Sequence, residues 1–166
     1  MSEQLALTPE LALRLINSGK LSNAQLMDTI GGVFEEKEIW RAIAEKINWK
    51  TLGTLSLLVI GKKADDLNIW KQIITTGKLS YEAVFEIGET IKQNSIWEVI
   101  IATGWKGITP ENLLKIGKTA NNIYVWEKII MTGKLSPEQL FNMATEVDIR
   151  EIWEAITVQI EQPEVE

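Results

Sequence analysis

Short apolar runs at helical spacing, separated by glycine and small polar residues, recur along the chain. In residues 76–101, Leu79 directly precedes Ser80, and Val84 follows five residues after Leu79. A serine there is typical of a helix N-cap, and the two apolar residues have the spacing of a hydrophobic staple. Residues 96–101 then carry apolar side chains at i, i+1, i+4 and i+5, which indicates a second helix with one buried stripe.

Glycine separates one such pair of helices from the next. Gly77 follows the apolar residues of the preceding stripe, and a glycine there can close a helix in the left-handed conformation at little steric cost. Each predicted helix has only about ten residues, which is too short for stability in isolation. The pattern therefore predicts helical hairpins that must stack on their neighbours.

The same frame occurs five times. With Leu79 as position 1, a leucine or isoleucine recurs at position 1, and a tryptophan recurs at position 19, or at 20 in the first copy. A small residue recurs at position 10 in later copies, which suggests close helix approach or a C-terminal turn. Position 1 is occupied by Leu21, Leu52, Leu79, Ile108 and Leu135, and the tryptophans are Trp40, Trp70, Trp97, Trp126 and Trp153.

Alternate copies match each other better than neighbours do. The distances between successive starts are 31, 27, 29 and 27 residues, and residues 50–105 laid over 106–161 without a gap give 21 identities. This indicates the internal duplication of a block of two hairpins.

We therefore predict an all-α fold, an α-solenoid of about five two-helix repeats of 27–31 residues each, with an N-terminal capping helix. One helical-repeat domain would span 1–161, and 162–166 would be a disordered tail. The predicted boundaries are 8–19 for the capping helix and 21–50, 51–78, 79–107, 108–134 and 135–161 for the repeats.

Composition limits the chemistry that the chain can perform. Among its 166 residues there is no histidine and no cysteine, which excludes Ser/His/Asp and Cys/His catalysis and the usual zinc ligand sets. Asp65 and Asp66 form the one adjacent aspartate pair, in a predicted hairpin turn where aspartate is favoured as a cap, with a metal or catalytic role as the alternative. We predict no enzymatic activity and no cofactor.

Charge bears on the partner. A formal net charge of −6 opposes nonspecific binding to nucleic acid, which requires lysine and arginine to displace counterions. No apolar run reaches the length of about 20 residues that spans a bilayer, and no signal peptide is apparent. We expect a cytoplasmic protein whose partner is another protein, with the oligomeric state left open.

Two tryptophans fall outside the frame. Trp49 and Trp105 are 56 residues apart, and each stands three residues before a position 1, where the other junctions carry serine or threonine. Tryptophan is enriched among interface hot spots, so both are candidates for a partner surface. The alternative is that they fill a wider gap at alternate junctions.

The sequences of the hairpin turns differ between copies, whereas the frame positions are kept. Repeat proteins often carry recognition residues on such edges. The alternative is that the turns vary only because loop sequences are weakly constrained. The candidates for partner binding in these turns are Lys63, Asp65, Lys92, Asn94, Asn121 and Tyr124.

Residues 108–117 (ITPENLLKIG) and 135–144 (LSPEQLFNMA) resemble the first helix of TAL-effector DNA-binding repeats, and 125–129 and 152–156 fall at the offset of the second helix. The resemblance implies that the two residues ending each first helix contact a base. Those residues differ from the usual pairs of that family, and they are Lys63-Ala64, Thr90-Ile91, Thr119-Ala120 and Glu146-Val147. The favoured function is a non-catalytic protein–protein interaction module (adaptor, inhibitor or scaffold), and the alternative is a TAL-like nucleic-acid-binding repeat protein.

Overall fold

The computed structural model describes residues 6–103 and 108–162. The chain divides into two compact units, and the boundary between Met1–Leu79 and Ser80–Glu166 falls just before the helix that begins at Tyr81. Trp105 and the predicted tail beyond Gln162 lie outside the described residues. The described residues contain helices and no strand, which confirms an all-α helical-repeat fold.

The first unit contains one unpaired helix and two hairpins. Its α-helices are α1 (Pro9–Asn17), α2 (Lys37–Lys46), α3 (Thr54–Ala64) and α4 (Leu67–Thr75). A π-helical segment, Gln25–Ile30, precedes α2, and a 3₁₀ turn, Trp49–Thr51, precedes α3.

The second unit contains three hairpins. They are α5 (Tyr81–Ile91) with α6 (Asn94–Thr103), α7 (Pro110–Ala120) with α8 (Ile123–Met131), and α9 (Pro137–Val147) with α10 (Arg150–Glu161). Besides the contacts inside each hairpin, α6 packs on α8 and α8 packs on α10, so the second helices of successive hairpins lie side by side.

The first helices of the last four hairpins begin and end at the same frame positions. Each has 11 residues, from position 3 to position 13. The predicted caps at position 2 are present in three of them: Ser80, Thr109 and Ser136 each accept a hydrogen bond from a backbone N–H of the first turn at 3.1–3.2 Å. Gly53 stands at this position in α3 and offers no side chain. Cap chemistry thus fixes where these helices begin.

The turns inside the hairpins are shorter than the polar pattern suggested. Residues 92–95 are all polar, a pattern that predicts a four-residue turn, but α6 already begins at Asn94, because asparagine and serine are also accepted at the start of a helix. In the last four hairpins two residues connect the helices, and the first of them, position 14, is left-handed, with φ between 47° and 58°. These residues are Asp65, Lys92, Asn121 and Asp148.

Lys92 is the poorest fit to this turn. Aspartate and asparagine tolerate the left-handed region better than a long side chain does, and glycine adopts it without cost. We therefore expect Lys92→Gly to stabilise the protein by about 0.5–1 kcal/mol in urea denaturation followed by circular dichroism. Glu89→Gly, at an exposed position inside α5, serves as the control and should destabilise by about 1 kcal/mol. A loss of stability in Lys92→Gly would show that the lysine side chain outweighs the backbone strain.

Because each frame tryptophan stands in an apolar stripe, all five are predicted to lie in the core; this is confirmed for four of them and wrong for Trp153. Trp40, Trp70, Trp97 and Trp126 are 2–8% exposed, whereas Trp153 in the last hairpin is half-buried. Each buried ring lies on the small residue of the first helix. A Cβ atom built on Gly61, Gly88 or Gly117 would lie within 2.3–2.5 Å of the tryptophan ring of the same hairpin. Glycine at position 10 is therefore required by the ring of position 19.

The extra residue of the first hairpin is absorbed inside its first helix. In the π-helical segment the N–H of Gly31 donates to the carbonyl of Leu26, five residues back, at 2.9 Å. This places Gly31 against Trp40, where its Cβ atom would lie 2.7 Å from the ring. The insertion thus leaves the glycine–tryptophan contact in place.

Candidate interaction surfaces

Acidic residues and a small cleft are the features of the described residues that bear on metal or ligand binding. None of the described acidic residues form a group of three or more that could hold a metal ion. A cleft beside Trp126 and Met143 has a volume of about 100 Å³, which is below the range of about 300–1,000 Å³ usual for ligand sites. Asp66 caps α4, accepting from the N–H groups of Asn68 and Ile69 at 2.9 and 3.1 Å, as the capping interpretation predicted.

The candidate residues of the first unit take part in contacts between neighbouring hairpins. Lys63 pairs with Glu35, and Lys37 Nζ lies 2.7 Å from Asp65 Oδ2. The hydrogen bond and charge of Lys37 hold the pKa of the Asp65 carboxyl below its usual value. Arg41 donates to the carbonyl of Asp65 at 3.1 Å as well, so these turn residues already have partners within the unit.

The candidate residues of the second unit are exposed. Lys92 and Asn121 occupy the left-handed turn position, Asn94 opens α6, and the side chain of Tyr124 is 64% exposed. They lie at the turn ends of two different hairpins, and their role in binding stays a prediction.

Trp49 is half-buried in the junction before α3. Its indole N–H donates to the carbonyl of Ala44 at 3.1 Å. The Lys78 ammonium donates to the carbonyls of Trp49, Lys50 and Leu52 at 2.8–3.1 Å and fixes the same junction. These contacts favour the packing role for Trp49. Whether Trp105 does the same lies outside the described residues.

The positions that correspond to base-reading residues of TAL repeats form the last two residues of α3, α5, α7 and α9. At the second of these positions Ala64 is fully buried, and its counterparts are half-buried. At the first, Lys63, Thr90, Thr119 and Glu146 differ in charge and size. Burial therefore removes the second side chain from such contacts only in α3, at Ala64.

The last hairpin carries an apolar surface that the sequence pattern does not predict. Phe85 and Phe141 are equivalent in the 56-residue duplication, and each ring meets the frame tryptophan of its hairpin, at 5.3 and 5.4 Å between centroids. Phe85 is 6% exposed, whereas Phe141 is 56% exposed. The same residue pair is thus core in one hairpin and surface in the other.

The following hairpin accounts for the difference. The Lys115 ammonium of α7 lies 4.5 Å from the centroid of the Phe85 ring, and the Tyr81 hydroxyl donates to the carbonyl of Asn112 at 3.2 Å. Burial, with the charges of Glu82 and Glu89, raises the pKa of Tyr81 to about 12, so this hydroxyl keeps its proton at neutral pH.

No element among the described residues covers the last hairpin in this way. We call its open surface the C-terminal face. The face comprises Pro137, Phe141, Trp153 and Thr157, at the positions of Tyr81, Phe85, Trp97 and Ile101.

The two units differ in charge. Met1–Leu79 has ten lysines and arginines and nine acidic residues, a net charge of +1, whereas Ser80–Glu166 has seven and fourteen, a net charge of −7. The C-terminal face therefore belongs to a strongly acidic part of the chain. This asymmetry is visible in the sequence alone, in contrast to the exposure of Phe141.

The fold defines an all-α helical-repeat protein. Comparisons with protein-family models, with curated proteins and with solved structures found no match to this chain. Within the described ranges, no helix is both long and apolar enough to cross a membrane.

Proposed function

We propose that this protein is a non-catalytic protein–protein interaction module that binds its partner through the C-terminal face. The observation that carries the proposal is the Phe141–Trp153 pair, in which Phe141 is 56% exposed and Trp153 is half-buried, whereas the identical Phe85–Trp97 pair is buried. A helical surface of a partner that covers Phe141 as α7 covers Phe85 would remove the same kind of apolar area from water.

The residue types suit this role. Aromatic side chains are enriched among interface hot spots. Burying one ring removes a large apolar area from water, and only two side-chain torsion angles lose their freedom. Phe141 packs edge-on against Trp153, at 75° between ring planes, and the Trp153 indole N–H donates to Asp148 Oδ1 at 3.1 Å. The pair is held in place before a partner arrives, so binding orders few groups.

Charge narrows the class of partner. The unit that carries the face has a net charge of −7, which steers a basic or neutral protein surface towards it and repels a phosphate backbone. The TAL-like alternative, in which the first-helix ends contact nucleic acid, would instead require basic residues there, and Glu146 occupies the last of these ends.

Phe141→Asp tests the proposal. We expect wild-type protein used as bait in host lysate to retain a partner polypeptide with or without nuclease, and Phe141→Asp to lose it. Once purified, that partner should bind Phe141→Asp at least about tenfold more weakly, the effect of losing 1.4 kcal/mol at a hot spot. Leu55→Asp, at a leucine of α3 that is 80% exposed, is the matched control and should bind like wild type.

Two outcomes would count against the proposal. Equal partner binding by wild type and Phe141→Asp would show that the C-terminal face is not the binding surface. Retention of nucleic acid, or of proteins that nuclease removes, would favour the TAL-like alternative and direct mutagenesis to Lys63, Thr90 and Thr119.

A further inference from the structure

We infer that the C-terminal face receives the α1 helix of a second copy of this chain, so that copies associate head to tail. The inference rests on the proposed function in taking the C-terminal face as a binding surface, and it goes further in naming the occupant. Three observations carry it: the incomplete hairpin at α1, the side-by-side packing of second helices, and the charges of the two ends.

Within residues 6–103, α1 corresponds to the second helix of a hairpin, and no first helix stands before it. It ends at Ser18 and Gly19 as α8 ends at Thr132 and Gly133, with both glycines left-handed at φ near 70°. In this alignment Leu11 corresponds to Val125 and Leu15 to Ile129. Val125 and Ile129 are fully buried, whereas Leu11 and Leu15 are 43% and 45% exposed.

These two leucines form what we call the N-terminal face. The α8 helix, whose corresponding residues are buried, packs on its own first helix α7 and on α6 and α10. Among the described residues, α1 packs on α2 but has no first helix and no preceding second helix. The N-terminal face is therefore an interrupted copy of an interface that is complete in the second unit.

The C-terminal face is interrupted in the complementary way. Within the second unit α6 packs on α8 and α8 packs on α10, and the described residues place no further second helix beyond α10. The α1 helix of another copy is a second helix with an open apolar face, so it would continue this series. A contact of the same kind already exists twice within the unit.

Charge favours this pairing over the contact of two C-terminal faces. Residues 137–162 contain six acidic residues and one arginine, a net charge of −5, whereas residues 8–20 contain Glu10, Arg14 and Lys20, a net charge of +1. Two C-terminal faces would bring like charges together, and that juxtaposition is costly at an interface. A head-to-tail contact brings the acidic end to a weakly basic one.

Such a contact is heterologous, since it joins two different surfaces, and it permits a complementation test. Leu15→Asp disables the N-terminal face only, and Thr157→Asp, on α10 at the position of the buried Ile101, disables the C-terminal face only. In sedimentation velocity, purified wild type and the Leu55→Asp control should form dimers and longer assemblies as concentration rises. Each of the two variants alone should stay monomeric, and their equimolar mixture should form a dimer, because each supplies the face that the other has lost.

Several results would overturn the inference. Leu15→Asp alone forming dimers as well as wild type would indicate contact between two C-terminal faces. A mixture that stays monomeric, or wild type that stays monomeric at the highest attainable concentration, would exclude the head-to-tail contact.

Circular dichroism should show wild-type helix content for both variants, and Leu11→Gln replaces Leu15→Asp if the latter unfolds. The outcome is separable from the proposed function. A monomeric protein that still captures another polypeptide through Phe141 would lose this inference and keep the proposed function.

Discussion

Replacing Trp97 with alanine is expected to lower the free energy of unfolding by about 3–5 kcal/mol, the range for large aromatic residues in a core. The ring is 2% exposed, lies 5.3 Å from the Phe85 ring, and covers Gly88 so closely that a Cβ atom there would be 2.5 Å away. Its removal leaves a cavity that the hairpin cannot readily fill, because Ser80 caps α5 and a two-residue turn joins α5 to α6. Urea denaturation followed by circular dichroism measures the loss.

Trp153→Ala provides the matched control. Trp153 occupies the same position of the duplicated block, but it is half-buried and no further hairpin covers it among the described residues. Its loss should cost less than that of Trp97, on the order of 1–2 kcal/mol, in keeping with a partly exposed side chain. Equal losses at both sites, or a loss below about 1 kcal/mol at Trp97, would show that stacking of hairpins does not bury these rings as described.

Gly117→Ala is expected to destabilise the protein by about 1–2 kcal/mol, although alanine favours a helix over glycine by about 1 kcal/mol. The reason is steric. An added Cβ atom would lie 2.3 Å from Cζ3 of Trp126, a ring that is itself only 4% exposed. Thermal and urea denaturation of the single variant give the sign of the effect directly.

A double-mutant cycle separates the clash from helix propensity. In a Trp126→Leu background the large ring is absent, so Gly117→Ala should become neutral or stabilising. In the last hairpin Ala144 stands in place of the glycine, and Trp153 is half-buried. If Gly117→Ala lowers the free energy of unfolding equally with Trp126 and with leucine at that position, then a steric clash with the ring is not the reason for glycine at residue 117.

The helices could be predicted because their ends depend on local chemistry. Ser80, Thr109 and Ser136 each accept a hydrogen bond from the backbone N–H three residues later and so cap the helix that begins there. Gly77 and Gly133 end the preceding helices. Each of these signals lies within a few residues of the helix end that it determines. The reason for glycine at position 10 was not accessible in the same way. The need for glycine depends on a tryptophan ring nine residues later in the chain, which the hairpin turn brings back against the first helix. The polar pattern predicted a longer turn than the two residues that are present.

The candidate site was harder to predict for a related reason. The duplication makes Phe85 and Phe141 equivalent in sequence, yet one is core and the other surface, because exposure depends on what packs next to the hairpin and not on the hairpin itself. Conversely, Lys63 and Asp65 looked available, but Glu35 and Lys37 stand 28 residues before each of them and form ion pairs with them. Residues of opposite charge that stand 28 positions apart, at equivalent places in neighbouring hairpins, could have predicted these ion pairs from the sequence.

The π-helical turn in the first hairpin has a consequence for how such a chain can change length. A single inserted codon in a helix normally rotates everything after it by about 100° and would turn a buried stripe towards water. Here the extra residue is confined to one widened turn, and Gly31 still meets Trp40. The first helix of a hairpin is thus a place where the gene can gain or lose one codon without changing what the hairpin presents to its neighbours.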